Sequence, residues 1–197
     1  MSKSKRAKPA ETNAQLRIIG GRHRGRKLPI PSLPGLRPTP DRIRETIFNW
    51  LQFDLHDKLV VDCFAGTGAL GLESLSRGAA SCQFVEPATP AAKSIESSLG
   101  LLKETTGTVH KTNASAFLAT MTEPADLFFV DPPFELDLWQ TTLEMIAQRS
   151  LLSEYGFVYV ECPKTKAIEL DETWLTVKDK TAGNLRIRLL QQVNIGS

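Results

Sequence analysis

The chain has 197 residues, 41% hydrophobic and 23% charged, enough for one domain with a well-buried core. Its longest aliphatic-aromatic block, Leu127-Phe128-Phe129-Val130, is far too short to span a bilayer, and the basic start lacks the apolar stretch of a secretion signal, so a cytoplasmic protein with no membrane partner is expected. The net charge of +2 hides an asymmetry: residues 1–44 carry 12 Lys/Arg against Glu11 and Asp41, whereas residues 45–197 carry 12 against 20 Asp/Glu.

A short basic segment on an acidic body argues for a polyanion held by that segment. Cys63, Cys82 and Cys162 are odd in number, far apart and set in strand-like stretches, which fits reduced, buried thiols. His23, His56 and His110 do not pair with them at metal-ligand spacing, so no metal is expected.

In chain order, residues 1–14 read as a disordered basic tail of Lys, Ser, Ala and Pro. Residues 15–38 read as a basic hairpin followed by a linker. Two strand-like pieces flank Gly20-Gly21, and Pro29, Pro31, Pro34, Pro38 and Pro40 then forbid a regular helix. From residue 39 to 197 the pattern is that of a single catalytic domain. Thr39 or Asp41 is expected to cap a helix with Ile43, Ile47, Phe48 and Leu51 on its apolar face. Strands are expected at 59–64, 81–85, 108–111, 126–130 and 157–161. Helices are expected through Leu70, Leu72 and Leu75 and over 90–103, 115–120 and 139–146. Two closing strands, 174–179 and 185–190, join at Ala182-Gly183-Asn184. Strand–helix alternation demands a parallel α/β sheet with helices on both faces, and the closing hairpin adds an antiparallel strand.

Two motifs carry chemistry. Phe64-Ala65-Gly66-Thr67-Gly68-Ala69-Leu70-Gly71 follows the first strand of the alternating part and opens a helix, where glycines permit a tight turn and let a ligand lie on bare backbone. Asp62 precedes it at the mouth of the strand. Glu86 ends the next strand, where a carboxylate can accept ribose hydroxyls. Asn113-Ala114 follows the third strand and can meet an adenine ring from the side; Asn113 is equally suited to cap the next helix, and can do both. The second motif, Asp131-Pro132-Pro133-Phe134, ends a buried strand on the same sheet edge. The exocyclic amine of a base is a poor nucleophile because its lone pair is delocalised into the ring. Asp131 and the Pro132 carbonyl can accept both amine hydrogens with little reorganisation, and Phe134 offers a face on which an extruded base stacks.

Together the glycine turn and Asp131-Pro132-Pro133-Phe134 resemble the class I amino-methyltransferases. Arg17-Ile18-Ile19-Gly20-Gly21, Arg24-Gly25-Arg26-Lys27-Leu28 and the stretch from Leu36-Arg37-Pro38-Thr39-Pro40 to Leu51 resemble the bacterial 16S rRNA guanine-N2 methyltransferases of the RsmD type. The resemblance spans residues 16–190. It implies a Rossmann-like, mainly parallel seven-stranded sheet with an antiparallel last strand, and S-adenosylmethionine as the methyl donor. It also implies a guanine of 16S rRNA as acceptor, in a small subunit already carrying ribosomal proteins; separately, a monomer is expected. Carried onto this chain, Phe64, Gly66, Gly68 and Glu86 line the cofactor site, and Asp131 to Phe134 hold the guanine amine. The basic residues assigned to RNA are Arg17, Arg22, Arg24, Arg26, Lys27, Arg37 and Arg42.

Three other readings compete. An adenine-N6 DNA methyltransferase would share the amine chemistry, yet Asp131 in place of Asn and the lack of room for a recognition domain disfavour it. An NAD-type oxidoreductase leaves the proline pair and the basic segment unexplained. A non-catalytic RNA-binding protein leaves Asp131 and Glu86 without a task.

Overall fold

The computed structural model describes residues 15–31 and 39–193; the tail 1–14, Arg37 and the linker prolines Pro34 and Pro38 fall outside them. Among the described residues the order is β1 (Gln15–Arg17), β2 (Lys27–Pro29), α1 (Asp41–Trp50), β3 (Leu59–Asp62), α2 (Ala69–Ser76), β4 (Ser81–Val85), α3 (Thr89–Leu102), β5 (Gly107–His110), α4 (Ala114–Thr120), β6 (Ala125–Val130), α5 (Trp139–Gln148), β7 (Leu152–Pro163), β8 (Trp174–Ala182) and β9 (Leu185–Gln192).

Seven strands form one sheet in the order β5-β4-β3-β6-β7-β9-β8. The pairs from β5 to β7 are parallel, and β9 inserts antiparallel between β7 and β8. Helices cover both faces, so the middle of β3 and the end of β6 read as apolar runs without alternation: Val60 and Val61 point to opposite cores, as do Phe129 and Phe128. α2 is buried on every side, which explains a sequence apolar all round, and its polar exceptions Glu73, Ser74 and Ser76 all find hydrogen bonds.

The expected mostly parallel sheet with its antiparallel last strand is present. Two local expectations fail. Neither Thr39 nor Asp41 caps α1: Pro40 occupies the cap position with no side-chain cap bond, and its carbonyl accepts the Ile43 and Arg44 N–H groups. Asp41 instead binds Arg44 at 2.6 Å. The β1–β2 hairpin is antiparallel, but it does not turn at Gly20-Gly21. Its ladder runs on through Ile18 and Arg26, and a 3₁₀ turn over Gly21–His23 closes a longer loop. The reason lies outside the hairpin. The Ile19 and Gly20 N–H groups donate to Glu73 of α2 at 2.8 and 2.7 Å instead of pairing across the strands. Gly21 is required there: at φ +73°, a Cβ would lie 1.8 Å from the Ser76 carbonyl oxygen.

The hairpin is seated in the protein's own core. Leu16, Ile18 and Leu28 are buried in one cluster with Ile43, Ile47, Phe48 and Leu72. Burying three such side chains contributes on the order of 1.5–3 kcal/mol each.

Candidate active site

Every parallel strand ends on one edge of the sheet, and that edge gathers the chemistry-bearing residues. After β3, the chain turns through Gly66 (φ +52°) and Gly68 (φ +76°) into α2, a left-handed path that only glycine follows without strain. Glu86, at the end of β4, accepts the Gly66 N–H at 2.9 Å through one oxygen and the Ala88 N–H at 2.7 Å through the other. It therefore fixes the glycine turn, and each oxygen keeps a lone pair for a ligand hydroxyl. Asp62 is more deeply placed. Its carboxylate accepts the Gly71 N–H at 3.1 Å inside the turn, and burial, with Glu86 nearby, pushes its pKa up to about 7. Phe64 is half-buried beside the turn.

Asn113 caps α4, its side-chain oxygen accepting the Ala116 N–H at 2.8 Å, so its amide nitrogen is the part left for an adenine. Ala114 is buried in the core on the far face, leaving only its backbone to reach a ligand.

Asp131-Pro132-Pro133-Phe134 follows β6 directly. The Pro133 carbonyl accepts the Leu136 N–H at 3.0 Å in a 3₁₀ turn, whereas among the described residues the Pro132 carbonyl has no partner. Phe134 is 44% exposed, with its ring 5.8 Å from that of buried Trp139. An apolar face is thus presented to solvent on a rigid base. Asp137, at the end of this turn, pairs with Lys166 at 2.6 Å and ties the loop to the segment after β7. Burial pushes the Asp131 carboxyl well above the ordinary carboxylate range, and neighbouring Glu161 and Asp62 push it the same way. Among the described residues, none of Asp62, Glu86, Asp131 and Glu161 forms an ion pair. An acid-lined mouth that no described cation neutralises, set against a bare glycine turn, fits a ligand that brings its own positive charge together with ribose hydroxyls. No group of His, Cys, Asp and Glu suited to a metal occurs among the described residues.

The basic residues divide into two sets. Arg22 binds Glu104 at 2.5 Å, with His23 on the same carboxylate, and Arg26 donates to the Leu101 carbonyl at 3.0 Å. These side chains fasten the hairpin to the end of α3 and to Glu104 just after it. Arg17, Arg24, Lys27 and Arg42 are exposed and make no ion pair among the described residues. The segment assigned from sequence to a polyanion thus spends part of its charge on its own protein.

Sequence reasoning gave no role to Arg44, Glu73 or Glu161. Arg44 is fully buried and reaches Asp41, the Arg17 carbonyl and Glu73, the last at 3.5 Å. Their signal was a charged residue at an apolar helix or strand position, which stands out only once a partner is known.

The doubly wound sheet, with the glycine turn and Asp131-Pro132-Pro133-Phe134 on one edge, is that of a class I S-adenosylmethionine-dependent methyltransferase. Comparison narrows the class. Residues 16–191 match the family model described as Conserved hypothetical protein 95. The chain is 41% identical over 181 residues to Ribosomal RNA small subunit methyltransferase D of Escherichia coli (strain K12), covering 91% of each chain. It is 35% identical over 191 residues to the protein of the same name from Haemophilus influenzae, covering 95% of this chain and 99% of that one. A solved Escherichia coli methyltransferase, yhhF, superposes with a TM-score of 0.85 at 39% identity, over 91% of this chain and 98% of that one. The chain belongs to this family, the RsmD-type methyltransferases. Among the described residues no helix is long and apolar enough to cross a membrane.

Proposed function

We propose that the protein methylates the exocyclic N2 amine of a guanine in 16S rRNA, acting as a cytoplasmic monomer on the assembled or assembling small ribosomal subunit. The observation that carries this reading is the pairing of Asp131 with an uncommitted Pro132 carbonyl beside an exposed Phe134. The names of the curated relatives, small-subunit rRNA methyltransferases, support the substrate.

S-adenosylmethionine, when bound, supplies an electrophilic methyl group on a cationic sulfur that departs as a neutral thioether. Glu86 holds the ribose hydroxyls, while Phe64, Gly66, Gly68, Asn113 and Ala114 line the nucleoside. Asp62 acts from beneath by shaping the turn. Phe134 stacks the extruded guanine. Asp131 accepts one N2 hydrogen and the Pro132 carbonyl the other, which concentrates electron density on the nitrogen as the N–C bond forms and the C–S bond breaks. The surplus proton leaves nitrogen through the Asp131 carboxylate. Residues 15–31 and the start of α1 form the substrate side of the molecule: Arg17, Arg24, Lys27 and, from α1, Arg42 meet phosphates, joined by Arg37 and the basic tail, while Arg22 and Arg26 hold the hairpin in place.

Labelled S-adenosylmethionine offered with small subunits, bare 16S rRNA and duplex DNA tests the reading. The expected product is N2-methylguanosine in the small subunit. N6-methyladenine in DNA would establish the runner-up, and no label anywhere would reduce the protein to an RNA binder.

A further inference from the structure

Glu161 is the least accounted-for side chain at the catalytic edge. It lies near the end of β7, only 4% exposed, in an acidic neighbourhood. The parallel register pairs Val130 with Val160, so the residues that follow, Asp131 and Glu161, sit side by side on the face that also carries Phe129 and Tyr159. The Tyr159 hydroxyl donates to Glu161 Oε2 at 2.8 Å, and the Trp139 indole N–H donates to the Glu161 backbone carbonyl at 2.6 Å. Backbone and one carboxylate oxygen are therefore fixed. Oε1 has no hydrogen bond among the described residues, and no Lys or Arg reaches the group.

A carboxylate so placed is costly unless something donates to it. The cost is visible in its protonation: burial pushes its pKa up, against the pull of the Tyr159 hydroxyl. The protein's structural carboxylates look different. Glu73, equally buried, takes hydrogen bonds from Ile19, Gly20, Arg77 and Arg44. Glu161 has the environment of a group whose missing donor arrives with a ligand.

The Watson–Crick edge of guanine presents two adjacent donors, N1–H and N2–H, whereas adenine presents the N1 lone pair beside its amine. We propose that Glu161 accepts the N1–H of the target guanine while neighbouring Asp131 accepts the N2–H, so that two carboxylates on adjacent strands select guanine and exclude adenine. The inference rests on the methylation reading above and deepens it. The same site would reject adenine by setting a lone pair against a lone pair, a stronger form of exclusion than a steric one. Trp139 links the parts, since one side chain supports the Phe134 ring and anchors Glu161.

The test uses full-length protein and small subunits from a strain lacking the enzyme, with the product identified by nucleoside mass spectrometry. A second substrate carries adenine at the target position, once wild-type enzyme has located it. Glu161→Gln keeps size and shape, but its amide can donate to adenine N1. Expected are a fall of about tenfold to a hundredfold in kcat/KM on guanine, S-adenosylmethionine affinity within about twofold of wild type, and a guanine-to-adenine rate ratio reduced by more than about tenfold. An unchanged guanine rate overturns the inference. So does an unchanged ratio, or a change confined to the acid limb of the pH profile, which would mean that Glu161 acts only through the charges of Asp131 and Asp62. Cofactor affinity falling in step with turnover would place Glu161 in the cofactor site and equally overturn it. If Glu161→Gln fails to fold, Tyr159→Phe releases Oε2 and leaves the charge. A fall of a few-fold in the guanine rate is then expected, and wild-type turnover overturns the inference. Wild-type enzyme that makes no N2-methylguanosine sinks the proposed function itself, whereas normal wild-type product with an indifferent Glu161→Gln sinks only the role of Glu161.

Discussion

Buried carboxylates occur in two settings in this molecule, beneath the hairpin and at the mouth of the sheet. Glu73 is surrounded by donors, two backbone amides and two guanidinium groups, and it joins α2 to the hairpin and to α1. Asp62, Asp131 and Glu161 share a neighbourhood with no guanidinium or ammonium partner among the described residues, and burial pushes all three carboxyls upward. The same chemical group is a completed joint in one place and an open valence in the other. The contrast separates a residue kept for architecture from one kept for a ligand, and it does so without reference to any relative.

The largest test of the contrast is Glu73→Ala. Removing the hub of a buried, hydrogen-bonded charge cluster leaves two amides and Arg77 without their acceptor and Arg44 with Asp41 and the Arg17 carbonyl alone, and should cost about 3–5 kcal/mol of stability. Each kcal/mol lowers Tm by roughly 2–4 °C in a domain of this size. A thermal melt that barely moves would erase the architectural half of the comparison. On the other side, Asp131→Ala should leave the fold intact and slow methyl transfer in a single turnover by about 10²–10³-fold, with RNA affinity nearly unchanged. Asp131→Asn should fall between, because its amide oxygen accepts a hydrogen bond without charge. A full chemical rate in Asp131→Ala would remove the group from the reaction.

Glu86→Ala comes next. Loss of a charged acceptor for two hydroxyls should weaken S-adenosylmethionine by roughly 1.5–3 kcal/mol in calorimetry, with the melt recording any damage to the glycine turn. Unchanged affinity in a folded variant would exclude Glu86 from the site. The smallest effect has the opposite sign to that of Glu73→Ala. Because the pKa of Asp62 is raised to about 7, its favourable contribution is complete below the ordinary carboxylate range and is lost as pH rises through 7. Asp62→Asn, which still offers an acceptor to Gly71, should therefore match wild type near pH 4 and exceed it in stability at pH 8 without ligand. A variant less stable than wild type at pH 8 would mean that the ionised Asp62 is satisfied after all.

Legibility in sequence followed the range of the physics. The glycine turn, Glu86 at the end of β4 and Asp131-Pro132-Pro133-Phe134 are local: each residue's task depends on the strand it terminates, and strand ends are visible as apolar runs that stop. The sheet was legible because β3 and β6 are buried on both faces and show no alternation over Val60-Val61 and Leu127–Val130. β7 extends from Leu152, well before the expected start at 157, because a shift between Ala125 and Leu127 bulges its first half and hides the pattern. The cap of α1 was misread because a backbone carbonyl, that of Pro40, does what a side chain was expected to do. Arg44, Glu73 and Glu161 were invisible for a different reason. Arg44 and Glu73 stand 29 residues apart, and Glu73 stands 54 residues from Ile19. Glu161 acquires its meaning only when β7 settles beside β6.

The hairpin's anchorage has a consequence for the order of events in biosynthesis. Residues 15–29 leave the ribosome before α2 has been made, yet Ile19 and Gly20 find their acceptor on Glu73, more than fifty residues later in the chain. Until then two amides stay hydrated, Leu16, Ile18 and Leu28 lack most of their core, and Arg22 waits for Glu104. The hairpin is thus fixed only after segments made later than itself. Its docking closes one of the longest loops among the described contacts, so completion of the basic face reports that the catalytic sheet has already begun to form.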